Sequence, residues 1–372
     1  MNDPHHPFRD LLKKIAGGPH TSKDLNREEA ALALELMLTE QATPAQIGAF
    51  LIAHRMKRPT GIELAGMLDT YDRFGCQLAA LESPVLPLVL GCPYDGRSRT
   101  FPLVPVTALI LATAGCPVIL HGGDRMPPKY GVSGLELWQA LGLDWSTRSW
   151  EQVQDFWQNH HLGFVYIPQH FPLACRLIDY REQLGKRPPV ATLELMWSPY
   201  GGAARLVVGY VHPPTEQLIV EALDTRGWSE YLMVKGLEGS VDLPCDRPGI
   251  VKVSRSPGVK DQTGAPLAPE SLAPESSVER LRLHPDEYSL KEAEIPFQTV
   301  EDWSDRVNQL IQTPQDPALN QLYRCIRWNA GFYLWQSGLT DSLEAGIATT
   351  IELMQSGQVA HYLNRLREAF AD

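Results

Sequence analysis

His121 closes the apolar run Pro117 to Leu120 and is followed by Gly122 and Gly123. A histidine between an apolar run and glycines stands at the carboxyl end of a strand, where open α/β folds take their ligands. A structural histidine capping a turn fits the same letters equally well. Asp95, in the string YDGR, has the residue type that turns favour, because its carboxylate accepts from nearby backbone N–H groups; the same carboxylate could face a ligand. Arg97, Arg99, Arg125, Lys129, Arg181, Lys186 and Arg187 supply positive charge around these positions. Brought together they would form a basic pocket on an acidic protein, and dispersed they are ordinary surface charge. The cysteines Cys76, Cys92, Cys116, Cys175, Cys245 and Cys325 lie far apart without a CxxC pair. Neither a zinc site nor a disulfide framework is indicated, and reduced, mostly buried thiols are expected.

Such side chains need elements to hold them, and the first quarter of the chain carries clear helix starts. Asn26 with Glu29, Thr43 with Gln46 (and Pro44 between them), and Thr60 with Glu63 have the N-cap and N3 spacing of a capping box. The segments EEAALALELMLTEQ, PAQIGAFLIAHRM and GIELAGMLDTYDRF place apolar residues at helical spacing. A small helical domain over residues 1–80 is predicted. From Pro84 the texture changes. Short apolar runs, PLVL at 87–90, PVIL at 117–120, FVYI at 164–167 and RLVVGYV at 205–211, alternate with helix-length segments. That alternation predicts an α/β domain over 81–372 with a mainly parallel central sheet flanked by helices. Residues 255–280 are rich in Pro, Ser, Gly and Glu and repeat LAPES at Leu267 and Leu272, the composition of a flexible insertion. Ala318 to Phe370 reads as helical again, with Asn329 and Ser342 at helix positions and Gly338 as a stop. The tryptophans, Trp138, Trp328 and Trp335 among them, are assigned to the core.

Composition bounds the function. With 44% hydrophobic and 21% charged residues the chain is neither disordered nor collagen-like. A net charge of −11 repels nucleic acid and anionic membrane surfaces. No run approaches the ~20 apolar residues of a membrane helix, and MNDPHHPFRD lacks the features of a signal peptide. A cytoplasmic protein is expected.

In their order along the chain, several strings resemble the anthranilate phosphoribosyltransferase family, within the wider group that includes pyrimidine-nucleoside phosphorylases. They are LLKKIAGG, the stretch from Leu25 to Met67, AGCPVILHG at Ala114 to Gly122, ALGLDW at Ala140 to Trp145, and Trp328 to Gln358. The resemblance implies a helical domain, joined by helices around 171–186, packed on an α/β domain, a substrate cleft between them, and a homodimer. It implies a glycine-rich turn that cradles the diphosphate of phosphoribosyl diphosphate, matched here by Gly91 to Phe101. Gly91, Asp95, Gly96 and Thr100 fall on family positions, Arg97 and Arg99 lie among them, and Cys92, Pro93 and Tyr94 replace small residues. The second family motif is matched by LHGGDRMPPKYG. His121 and Gly122 are kept, Leu120 stands at a lysine position, and Arg125 and Lys129 offer charge nearby. An acidic pair that holds magnesium in the family corresponds to KGLEGSVDLP, where Glu238 and Asp242 are present but not adjacent. Arg181, in YREQLGKR, matches the arginine that faces the acceptor's carboxylate, a role its planar fork suits.

Two functions follow from the resemblance. One is a divergent transferase that binds a phosphorylated ribose compound and moves ribosyl phosphate to an acceptor. The other is an inactive member that binds a metabolite or nucleic acid, with the overall charge weighing against nucleic acid.

Overall fold

The structure, a computed structural model, describes residues 7–18, 20–255 and 277–371. Four helices open it: α1 Pro7–Ile15, α2 Arg27–Leu38, α3 Pro44–Lys57 and α4 Gly61–Phe74. The capping boxes at Asn26, Thr43 and Thr60 all close, each N-cap side chain accepting from the N3 backbone while the N3 side chain returns the bond. Helices α2 and α4 touch backbone to backbone: a Cβ on Gly66 would lie 2.0 Å from the Arg27 carbonyl oxygen.

Glu63 ties this unit together. Its buried carboxylate accepts from the Leu25 N–H at 2.9 Å, the Thr60 N–H at 2.8 Å, Lys57 Nζ at 2.9 Å and His54 Nε2 at 3.3 Å. Burial pushes its carboxyl up, but the bonds from His54, Leu25 and Lys57 outweigh burial and bring it to about 2. A depressed folded-state value gives stability that is present above the unfolded value near 4.5 and is lost as pH falls toward 2. Glu63→Gln should therefore lower stability at pH 7 by on the order of 3 kcal/mol. Urea denaturation of both proteins should show that gap closing between pH 4.5 and 2; a gap constant with pH would refute the assignment.

The larger domain is built on a seven-stranded sheet in the order β3-β2-β1-β4-β5-β6-β7. Its strands are β1 Leu88–Leu90, β2 Val118–Gly122, β3 Leu162–Tyr166, β4 Arg205–Gly209, β5 Tyr231–Val234, β6 Gly249–Arg255 and β7 Ser277–Leu283. The first five pair in parallel, and β6 and β7 add antiparallel. The runs in β1, β2, β4 and β5 are buried throughout because helices cover both faces. The apolar helix α5, Val104–Thr113, packs against the helices Asn320–Ser337, Leu343–Gln355 and Gln358–Ala371. Ser342 caps the second of these and Gly338 stops the first. Trp138, Trp145, Trp157, Trp197, Trp303 and Trp328 are fully buried.

Strands β5, β6 and β7 lie outside the apolar runs at 87–90, 117–120, 164–167 and 205–211. Of the insertion expected over 255–280, Arg255 ends β6 and residues 277–280 begin β7, while 256–276 lie outside the described residues. Along β7, Val278, Glu279, Arg280 and Arg282 are exposed, and Leu281 and Leu283 are half-buried.

The helical bundle meets the rest of the chain at two places. Arg176 donates to the Leu38 carbonyl at 2.9 Å and Arg55 to that of Arg187 at 2.5 Å, bringing the segment around the helix Ile178–Leu184 against the bundle. The helix Pro213–Thr225 lies along α4, where Glu221 accepts from the Gly61 N–H at 3.1 Å and Arg226 pairs with Asp69 and Asp72. No helix among the described residues is long and apolar enough to cross a membrane.

Candidate functional site

The loop after β1 runs across the carboxyl ends of the parallel strands. Gly91 lets it pass close to the next layer, since a Cβ there would lie 2.2 Å from the Leu195 carbonyl oxygen. Gly96 has a φ of 78°, in the left-handed region that glycine tolerates. Residues 95–97 are then pinned to the segment before helix α6 (Gly134–Ala140): Gly131 N–H donates to the Asp95 carbonyl, and Arg97 and Val132 exchange backbone bonds at 3.1 and 2.7 Å.

This pinning aims Arg97 inward, where it is 5% exposed. Its guanidinium donates to Asp242 at 2.6 Å, to Ser240 Oγ at 2.7 Å and to Glu238 at 3.3 Å, and also bonds Thr100 Oγ1. Asp242 accepts in addition from the Leu103 N–H at 3.0 Å. Glu238 lies in a concave run of donors. It accepts from the N–H groups of Arg99 and Thr100, each at 3.0 Å, from Ser98 N–H at 3.3 Å, from Thr100 Oγ1 at 3.0 Å and from Lys129 Nζ at 2.9 Å. Successive N–H groups of this kind form an anion-binding nest. Burial raises the Glu238 carboxyl, but Lys129 and the backbone N–H groups of Thr100 and Arg99 more than reverse it, so the group stays ionised far below the usual carboxylate range. Its own backbone sits at φ 54°, ψ 21°, a left-handed position that a non-glycine residue adopts at a cost of about 1–2 kcal/mol.

A second buried cluster adjoins the first. Arg181, 4% exposed, pairs with Glu194 and donates to Met126 Sδ at 3.2 Å, and its Nε and Nη2 atoms have no partner among the described residues. Glu194 also accepts from the Tyr94 N–H at 3.2 Å, and Arg187 lies 3.8 Å from both Glu194 and Asp95. Burial holds the Glu194 carboxyl above its ordinary value despite Arg181 and Arg187. The ring of Tyr94 fills the space behind, bonding His121 Nδ1 through its hydroxyl, with Trp197 edge-on to the imidazole at 5.3 Å. His121 is 1% exposed, and burial brings its ring down to about 3, so it is neutral at pH 7.

The residues singled out in the sequence are thus distributed over different environments. Arg97, Arg99, Thr100, Lys129, Glu238 and Asp242 meet in one network. Gly91 and Gly96 shape the loop that carries it, and Asp95, His121 and Arg181 belong to the inner cluster, with Gly122 at the end of β2 beside Phe164. Arg125 pairs with Glu136 at 2.9 Å outside both networks. Glu194 stands in no recognisable motif, and Ser240 lies within KGLEGSVDLP between the two acidic residues; only the fold shows what they touch. Next to the network opens a pocket of about 220 Å³ lined by Glu238, Arg99, Lys235, Arg247, Val211 and Ile250, among others. Lys235 is exposed at its rim.

The acidic residues matched to the family's metal pair are bonded to a side chain of the same molecule in this arrangement. Asp242 and Glu238 already share one guanidinium, and no group of three or more His, Cys, Asp or Glu among the described residues is placed to hold a metal.

Residues 9–75 match the family described as glycosyl transferase family, helical bundle domain. The anthranilate phosphoribosyltransferase of Laribacter hongkongensis is 26% identical over 329 residues, 88% of each chain, and that of Persephonella marina is 25% identical over 362 residues, 97% of this chain and 98% of the relative. Among solved structures, the anthranilate phosphoribosyltransferase of Thermus thermophilus superposes with a TM-score of 0.76 at 23% identity, over 98% of this chain and 100% of the other. The Saccharomyces cerevisiae enzyme, solved in complex with PRPP and Mg, gives 0.78 at 17% identity over 98% of both.

Proposed function

As this chain belongs to the anthranilate phosphoribosyltransferase family, we propose that it keeps the interdomain cleft as a binding surface for a phosphorylated ribose compound or another small anion, without magnesium-assisted transfer of ribosyl phosphate. The observation that carries this reading is Arg97 lying between Asp242 and Glu238. Transfer of this kind depends on neutralising a leaving diphosphate, for which a metal held by carboxylates is an effective device. Here both carboxylates are committed to a side chain of the same molecule. The acceptor side is altered in the same way, since Arg181 is committed to Glu194. Positive charge that still faces solvent lies at Arg99 and Lys235 around the 220 Å³ pocket of the larger domain, where Arg247 is paired with Asp246 at 2.6 Å, and this favours an anionic ligand. The net charge of −11 weighs against nucleic acid.

The reading includes a cytoplasmic homodimer formed through the helical domain. Leu32, Met56 and Ile62, on α2, α3 and α4, are large apolar side chains exposed on that domain, and the cysteines are unpaired thiols. Calorimetry with phosphoribosyl diphosphate, with and without magnesium, and an assay of diphosphate release with anthranilate test the main claim. Binding unaffected by magnesium, with no release, is expected. Magnesium-dependent binding with release of diphosphate would establish a working transferase instead.

A further inference from the structure

We propose that Glu238 is an internal stand-in for an anionic ligand: its carboxylate fills the nest formed by residues 98–100, Arg97 and Lys129, and a phosphate group entering from the neighbouring pocket binds by displacing it. This rests on the reading of the cleft as an anion-binding surface. Two or three backbone N–H donors, a hydroxyl, an ammonium and a guanidinium around one small volume are what a phosphate oxygen array requires. A single carboxylate satisfies the same donors with two oxygens. The side chain of Glu238 is only 2% exposed, so the donors reach no other anion while it is in place.

The turn that carries Glu238 permits this exchange. It runs from Gly236 to Asp242, closed by bonds from Leu237 N–H to the Asp242 carbonyl at 2.9 Å and from Ser240 N–H to the Leu237 carbonyl at 3.0 Å. Glycines flank Glu238 at 236 and 239, the second with φ 84°. Glu238 holds a left-handed conformation that its contacts with the nest must maintain. When a stronger anion takes the nest, the residue is released from that conformation and its carboxylate has the pocket beside it to enter. The wall of that pocket includes Arg99 and Lys235, which attract an incoming dianion and receive the displaced carboxylate, and Arg247, which is paired with Asp246 at 2.6 Å. The ligand class is a phosphate monoester or free phosphate.

The test is calorimetric titration of inorganic phosphate, and separately ribose 5-phosphate, into the wild type, Glu238→Gln and Glu238→Ala. Both variants should bind phosphate at least tenfold more tightly than the wild type, and phosphate should raise the thermal midpoint of Glu238→Ala more than that of the wild type. Tighter ribose 5-phosphate binding than phosphate binding would mark the monoester as the ligand, and equal binding would mark phosphate alone. If the alanine variant does not fold, the near-isosteric glutamine variant decides. A folded Glu238→Gln or Glu238→Ala that binds both probes no better than the wild type would overturn the proposal. A diphosphate-release assay on the wild type runs alongside, so that transferase activity, which defeats the earlier reading, is seen independently of the anion-seat result.

Discussion

Arg97→Ala should destabilise the protein by about 3–5 kcal/mol, the usual consequence of removing one member of a buried ion pair and leaving its partner uncompensated. The magnitude follows from what the guanidinium does. It is the shared cation of Asp242 and Glu238, whose side chains are each 2% exposed, and it holds Ser240 and Thr100 in the same network. Glu238 would keep Lys129 and its backbone donors, whereas among the described residues Asp242 would keep the Leu103 N–H alone, and the larger part of the loss arises there. Arg97→Lys should recover part of the loss, because an ammonium supplies charge but lacks the planar fork that reaches several acceptors at once. Urea denaturation of the three proteins measures this. An alanine variant within about 1 kcal/mol of the wild type would mean that the network is surface-like in its energetics.

The second large effect is expected at Arg181. Arg181→Met leaves the buried Glu194 without its main cation and should cost a similar ~3–5 kcal/mol. In the double variant Arg181→Met with Glu194→Leu, most of that loss should return, since an apolar pair of comparable volume often replaces a buried ion pair without penalty. Such recovery would show that the pair is a structural contact. If Arg181→Met instead left stability intact and weakened binding of an aromatic carboxylate, the arginine would be an acceptor-binding group that Glu194 merely guards.

How much of this could be read from the letters depended on the range of the interaction. The helix starts at Asn26, Thr43 and Thr60 were legible because a capping box involves residues three apart, and nothing distant can alter that spacing. The buried strands β1 to β4 were legible as apolar runs. The site was legible only as a neighbourhood. Arg97 meets Glu238 across 141 positions and Asp242 across 145, and no local pattern announces that these charges neutralise one another. Tyr94 was visible as a bulky residue in a turn that the family keeps small. That its ring would be buried against His121 required the fold.

The two antiparallel strands added beyond β5 also affect how the molecule behaves among its copies. A parallel sheet ending at β5 would offer the flat, apolar string Tyr231–Val234 as an open rim with unpaired N–H and carbonyl groups. Strands β6 and β7 move that rim outward to a ribbon where Glu279, Arg280 and Arg282 stand in solvent. A second copy pairing with β7 would have to strip water from these charges, and Val278 alone offers it exposed apolar surface there. The outer pair of strands therefore acts as a guard against edge-to-edge aggregation, keeping the apolar strand β5 inside the molecule.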